Sequence, residues 1–187
     1  MSAPMLADGI VRLRALEERD LAAYLQSFRN DPQLAALLGL DADPTVEHLR
    51  GRLGRPGIDP PELRAHEWII AEAGSDKFAG SILLHSCDWK NRRAEVGYWI
   101  APHARRRGLL AAALGLVLDW AFDEMGIERM EMTALPGNEA VVGIAGRFGF
   151  VYEGTMRARN LERGVRVDLL MWGLLAGERR ARGSNAR

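Results

Sequence analysis

The run Val96-Gly97-Tyr98-Trp99-Ile100, followed by Ala101-Pro102-His103-Ala104-Arg105-Arg106-Arg107-Gly108-Leu109-Leu110-Ala111-Ala112-Ala113-Leu114, decides the fold. A strand-like run feeds a basic turn with one glycine, and the turn opens a long apolar helix. Backbone N–H groups at a helix start have no intrahelical acceptor and carry partial positive charge, so they attract anionic oxygens. Arg105, Arg106 and Arg107 add positive charge around the same point, and Gly108 lets the backbone approach a ligand closely. This layout predicts a cradle for a pyrophosphate, and hence a small phosphorylated cofactor.

Reading outward, the segment from Gly108 to Met125 is apolar nearly all round and predicts a helix buried on most sides, stopped by Gly126. Before it, Glu67 to Ala71, Lys77 to His85 and Ala94 to Ile100 read as three strands joined by short polar turns, an antiparallel meander. After it come a strand at Glu128 to Leu135 and a short helix at Asn138 to Arg147, with Asn138 as N-cap. Phe150 to Met156 and Val165 to Leu175 then form a closing hairpin around Gly164. At the N-terminal side, Ile10 to Arg14 alternates like a strand, and Leu16 to Phe28 has helical spacing. Asp31-Pro32 breaks that helix and starts a second through Leu38. Thr45 caps a third segment to about Leu53, and Gly54 to Pro61 is a loop. The strands before and after the long helix are joined by a helical crossover, so they are parallel neighbours inside an otherwise antiparallel sheet. The expected fold class is α/β (α+β): a mixed, mostly antiparallel twisted sheet of about seven strands flanked by helices, with a splayed parallel pair.

The chain has 187 residues, which fits one domain, expected over 1–176, with a basic flexible tail at 177–187. Its formal net charge is zero, which gives no bulk electrostatic case for nucleic acid or an anionic membrane. A tail that acts as a nucleic-acid arm is the weaker reading of its arginines. Cys87 is the single cysteine, so no intrachain disulfide can form. His48, His66, His85 and His103 show no zinc-type spacing with it, and no metal is expected. No basic-plus-apolar run near Met1 resembles a signal peptide, and Leu109 to Leu118 is too short to span a bilayer. These features read as a cytoplasmic protein.

At these residues the chain resembles the GNAT superfamily of acyl-CoA-dependent N-acyltransferases, and within it the ribosomal-protein N-terminal acetyltransferase branch. Val11-Arg12-Leu13-Arg14 with Glu18-Arg19-Asp20-Leu21 resembles that branch's first strand and helix. Glu95-Val96-Gly97-Tyr98-Trp99-Ile100 resembles its fourth strand. Arg105 to Leu110 falls on the family's Arg/Gln-x-x-Gly-x-Gly/Ala loop. Asn138 with Gly149-Phe150, and then Glu153-Gly154 and Asp168, complete the pattern. The resemblance implies a GNAT fold that takes acetyl-CoA or another acyl-CoA as co-substrate. The pyrophosphate would lie on the amides of Arg106 to Leu110, the pantetheine arm would bond main chain near Ile100, and Asn138 would meet a pantetheine amide. The implied acceptor is a small-molecule amine or a protein N-terminus, and a homodimer is common among similar proteins.

Two departures stand out. Leu110 occupies a position where the family prefers Gly or Ala. Val141 and Ala145 stand where related branches carry Ser or Tyr, and neither can donate a proton to a departing thiolate. That absence keeps open a non-catalytic acyl-CoA-binding or regulatory module.

Acyl transfer to an amine needs a held thioester, a neutral amine, a stabilised oxyanion and a leaving thiolate. Glu95 is the first candidate base, on the same strand face as Gly97 and Trp99. His85 and Asp88 are weaker candidates. Each of these residues also has a structural reading: the arginines as a solvated helix start, Asn138 as a cap, and Glu95 as a strand-end carboxylate. His85 reads as a rim histidine, Asp168 as a structural residue and the tryptophans as packing.

Overall fold

The computed structural model describes residues 4–31, 33–37, 44–53, 66–162 and 164–179. The loop expected at Gly54 to Pro61 and most of the expected tail lie outside them. The elements run β1 (Leu6–Ala7), β2 (Val11–Arg14), α1 (Leu21–Asn30), α2 (Leu34–Leu37), α3 (Val46–Arg50), β3 (His66–Glu72), β4 (Phe78–Asp88) and β5 (Arg93–Ile100). They continue as α4 (Leu109–Asp123), β6 (Arg129–Ala134), α5 (Glu139–Phe148), β7 (Val151–Glu162) and β8 (Val165–Leu175).

One sheet holds all eight strands in the order β1-β2-β3-β4-β5-β6-β8-β7. The strand beyond the expected seven is β1, whose two residues pair with Leu13 and Arg12 at the sheet edge. Such a short edge strand leaves no period-2 signature to read. Among the described strands only β5 and β6 pair in parallel, as the α4 crossover requires.

Their register is the feature that positions the site. Arg93, Ala94 and Glu95 lie opposite Arg129, Met130 and Glu131, and the pairing then stops. On its other edge β5 stays paired with β4 as far as Ile100. From Val96 onward the two parallel strands therefore diverge and open a slot in the sheet.

Helix α4 forms because 109–123 is rich in Leu and Ala and carries no Pro. Leu109, Ala111, Ala113, Leu114, Val117, Leu118, Ala121 and Phe122 are all buried. Truncating a fully buried leucine such as Leu114 to alanine would cost about 2–5 kcal/mol. Gly108, with φ 78°, sits before the first turn, and Gly126, with φ 71°, follows the last.

The first helix starts later than its spacing suggests. Glu18–Asp20 form a single 3-10 turn and α1 begins at Leu21. Asp20 is held at this point: its carboxylate accepts from Arg14 at 2.6 and 2.9 Å and from the Glu17 amide at 2.9 Å. Arg14 and Asp20 are both buried, so each requires the other. At the far end, the chain stays packed three residues past the expected domain boundary. Residues 176–179 form a last helical turn. Arg179 pairs with Asp119 at 2.8 Å and lies 5.4 Å over the Phe148 ring.

Candidate active site

The slot between β5 and β6 is flanked by two cavities. The first, of about 510 Å³, is lined by Ile100, the whole run 105–111 and Asn138. Tyr98, Trp99, Val141, Ile144 and Arg147 complete most of its wall. Eight of the nine residues expected at the site therefore gather here. The ninth, Glu95, lines the second cavity, also about 510 Å³, with His85, Thr133, Glu131, Met156, Arg159 and Glu162. Tyr98, Asn138 and Val141 line both, so the two cavities meet at those three residues.

The turn before α4 is an open donor cradle. Arg106 has φ 61° and Gly108 φ 78°, so left-handed residues turn successive amides toward a common side, a geometry that binds anions. Among the described residues, no acceptor meets the amides of residues 105–111; the first amide engaged is that of Ala112, on the Gly108 carbonyl at 3.1 Å. A Cβ added at Gly108 would meet nothing within 4 Å. The space over the turn is free for a ligand. A diphosphate fits this donor set: donors only, at a helix N-terminus, with guanidiniums beside it.

The three arginines differ in their engagement. Arg105 is ion-paired with Asp31 and donates to the Ile100 carbonyl at 3.2 Å. Arg107 pairs with Glu72 at 2.6 Å, and that hydrogen bond holds the Glu72 carboxyl below its usual range. Only Arg106 has no partner among the described residues. The triplet thus braces the turn at both ends and leaves its middle cation available. Leu110, the outsized residue of the loop, packs half-buried against the core.

Asn138 serves two structural purposes. Its Oδ1 accepts from the Val141 amide at 3.4 Å, capping α5, while the residue lines both cavities. The reading as a cap and the reading as a ligand contact are thus compatible.

In the second cavity, Glu95 accepts from the Thr133 hydroxyl at 2.5 Å. His85, its cross-strand partner on β4, has Nδ1 4.0 Å from the Glu95 carboxylate. A Cβ at Gly97 would lie 3.4 Å from His85 Nε2, so the glycine makes room for the imidazole. Asp88 is turned away from this group, bonding Asn91 at 2.7 Å. Glu131 is buried and neutralised by Arg93 at 2.9 Å and Arg129 at 2.8 Å. Arg129 also grips Glu153 and holds its carboxyl below the ordinary value. Asp168 accepts from the Ala158 amide at 2.7 Å and is structural.

Sequence reasoning missed Tyr98. Its hydroxyl is 3.6 Å from Met132 Sδ, and burial pushes its pKa up, so it stays protonated. Period-2 alternation hid it, because it sets Tyr98 on the face opposite Glu95, while the β5–β6 gap exposes both to one slot. Among the described residues no three His, Cys, Asp or Glu side chains converge as a metal site. No described helix is long and apolar enough to cross a membrane.

Comparison with known proteins bears on the family and the fold. A family model described as "Acetyltransferase (GNAT) domain" matches residues 11–151. The "Putative ribosomal N-acetyltransferase YdaF" of Bacillus subtilis is 37% identical over 99 residues, covering 53% of this chain and 54% of that protein. The chain thus spans about half the length of that relative. The "Uncharacterized N-acetyltransferase YoaA" of the same organism is 26% identical over 172 residues, covering 92% of this chain and 97% of the relative. In fold, the spermidine N-acetyltransferase of Vibrio cholerae, solved with CoA and spermine, superposes with a TM-score of 0.75 at 19% identity, covering 92% and 99% of the two chains.

Proposed function

The chain belongs to the GNAT acetyltransferase family, and from that premise we propose that it transfers an acetyl group from acetyl-CoA to a primary amine by direct attack in a ternary complex. The observation that carries this reading is the pair of cavities meeting at Tyr98, Asn138 and Val141: a donor-lined cavity on one side and a carboxylate-lined one on the other. One suits a diphosphate-bearing thioester and the other an amine. A protein of the same fold holds CoA and spermine, which supports the two-substrate arrangement.

The residues divide the chemistry between them. The amides of 106–110, with Arg106, grip the diphosphate and fix the thioester in the slot, which removes translational freedom before the reaction. The antiparallel ladder sends the Ala101 N–H to β4, where it meets the Ala79 carbonyl at 2.8 Å. Alternation then turns the Tyr98 and Ile100 peptide groups toward the slot, where an N–H can bond pantetheine or the oxyanion. Asn138 bonds a pantetheine amide.

Glu95, steadied by Thr133 and flanked by His85, takes the proton from the incoming ammonium, directly or through a water. The amine nitrogen then bonds the thioester carbon, whose carbonyl becomes an oxyanion; as the oxyanion collapses the C–S bond breaks, and the second proton shed by the nitrogen replaces the one that Tyr98 gives to the thiolate. The Tyr98 hydroxyl, protonated and placed where the cavities meet, donates to the departing thiolate, the role for which Val141 and Ala145 offer no group. A peptide α-amine, with a pKa of about 7.7–8.0, is partly neutral at pH 7 and suits a single carboxylate base.

The experiment is a thiol-release assay with acetyl-CoA and a panel of peptides and small amines. Release that depends on amine, with mass spectrometry showing a 1:1 acetylated product, supports the reading. Stabilisation by CoA without turnover on any amine would overturn it in favour of a binding module.

A further inference from the structure

The charges of the second cavity are unequally engaged. Glu131 is bound by Arg93 and Arg129, and Glu95 accepts from Thr133 with His85 Nδ1 4.0 Å away. Arg159 lines the same cavity and has no partner among the described residues. It arrives there through an irregularity in β7. Met156 lies opposite Leu169 and Asn160 opposite Val167, so residues 157–159 face the single residue Asp168. A bulge of this kind bends the strand and re-aims its side chains.

Asp168 fastens the bulge rather than an arginine: its Oδ1 accepts from the Ala158 amide at 2.7 Å, and Ala158 is held at φ 51°. The carboxylate that could have neutralised Arg157 or Arg159 is thereby committed to main chain. The surrounding sequence is cationic as well: residues 157–166 carry four arginines against one acid, Glu162. Arg159 lines the same cavity as Glu95 and Glu162, so the cavity offers carboxylates to an ammonium and a guanidinium that neither carboxylate pairs with.

We infer that Arg159 is a specificity residue that binds a carboxylate on the acceptor, so that the substrate is a primary amine that also bears a carboxylate. A planar guanidinium pairs with a carboxylate through two parallel N–H···O bonds and has no such use for a polyamine. This inference rests on the acetyl-transfer reading above and narrows its acceptor. Two sources share the chemistry: a peptide with an acidic residue close to its free N-terminus, or a small amino acid-like amine.

The test uses isosteric pairs on the full chain saturated with CoA: the amidated tripeptides Ala-Asp-Ala and Ala-Asn-Ala, and β-alanine with β-alaninamide. Spermidine serves as the polycation. Isothermal titration gives affinities, and thiol release with acetyl-CoA is read in parallel. The acid should bind on the order of tenfold more tightly than its amide in at least one pair. Preference in the peptide pair alone identifies a peptide source; preference in the small pair alone identifies a small molecule. In Arg159→Gln the acid-to-amide ratio should fall to near one, and in Arg159→Glu it should invert. Equal affinities within both pairs, tightest binding of spermidine, or a ratio that survives Arg159→Gln overturns the inference. Absence of turnover with every amine counts against acetyl transfer instead, because the binding ratio is measured without it.

Discussion

Replacing Gly80 by alanine should do far more damage than one methyl group suggests. Gly80 lies opposite Ile100 at the end of the β4–β5 ladder, just where the strand leaves for the anion cradle. An ideal Cβ there falls 2.2 Å from the Trp99 carbonyl oxygen and 3.0 Å from the Ile100 Cα. Both are main-chain atoms, so no side chain can swing aside. A carbon and a carbonyl oxygen need roughly 3.3 Å, so the strands must part by about 1 Å. That movement takes the Ala101 N–H to Ala79 C=O bond, now 2.8 Å, beyond hydrogen-bonding range. Overpacking costs about 1–3 kcal/mol and the lost bond about 1 kcal/mol, for a total of about 2–4 kcal/mol. In a domain of this size Tm should fall by about 4–16 °C. Gly115→Ala in α4 is the control of opposite sign. Its Cβ would meet only Phe148 Cε1, at an ordinary 3.8 Å, so removing a mid-helix glycine should stabilise by about 0.5–1 kcal/mol. Differential scanning fluorimetry, with and without CoA, reads both variants. A Gly80→Ala protein that melts within about 2 °C of the parent, with undiminished CoA stabilisation, would refute the claim that this crossing sets the cradle.

Other outcomes follow from the same geometry. Gly108→Pro should abolish CoA binding in titration, since proline deletes a donor N–H and demands φ near −65° where the chain has 78°; Arg106→Ala should weaken it much less. Glu95→Gln should lower kcat by roughly 10²–10⁴-fold while leaving CoA affinity unchanged in a binding assay. His66 is held neutral because burial lowers its pKa from the ordinary 6.5, so the unfolded chain binds the extra proton first. Its contribution is complete above pH 6.5 and is lost as pH falls through that value toward its folded pKa. In His66→Phe, urea melts between pH 7 and 5 should show a shallower loss.

The strand, turn and helix around Gly108 were legible because each obeys a local rule: a period-2 run, a glycine at a left-handed position, and an apolar helix. The Asn138 cap and the hairpin glycine at Gly164 follow local rules too. The contacts that complete the site are long-range, which one-dimensional spacing does not report. Arg105 meets Asp31 across 74 positions and Arg107 meets Glu72 across 35, so no local pattern shows that two of three arginines are braced. The second cavity draws on β4, β5, β6, β7 and β8, and the β5–β6 register that creates it is set by where a 15-residue helix lands. Residues 157–159 of the β7 bulge include no glycine, so the long-range register with β8 and the Asp168 contact to Ala158 reveal it where the sequence does not. Tyr98 was hidden because alternation assigned it to the face opposite Glu95, and the divergence of the strands brings both to one opening.

The most direct test of the cradle is a crystal structure of the chain grown with excess CoA. The account predicts diphosphate oxygens about 2.7–3.2 Å from main-chain nitrogens within 106–110, with the pantetheine arm running between β5 and β6. CoA bound elsewhere, or a turn whose amides face solvent while the diphosphate rests on side chains alone, would contradict it.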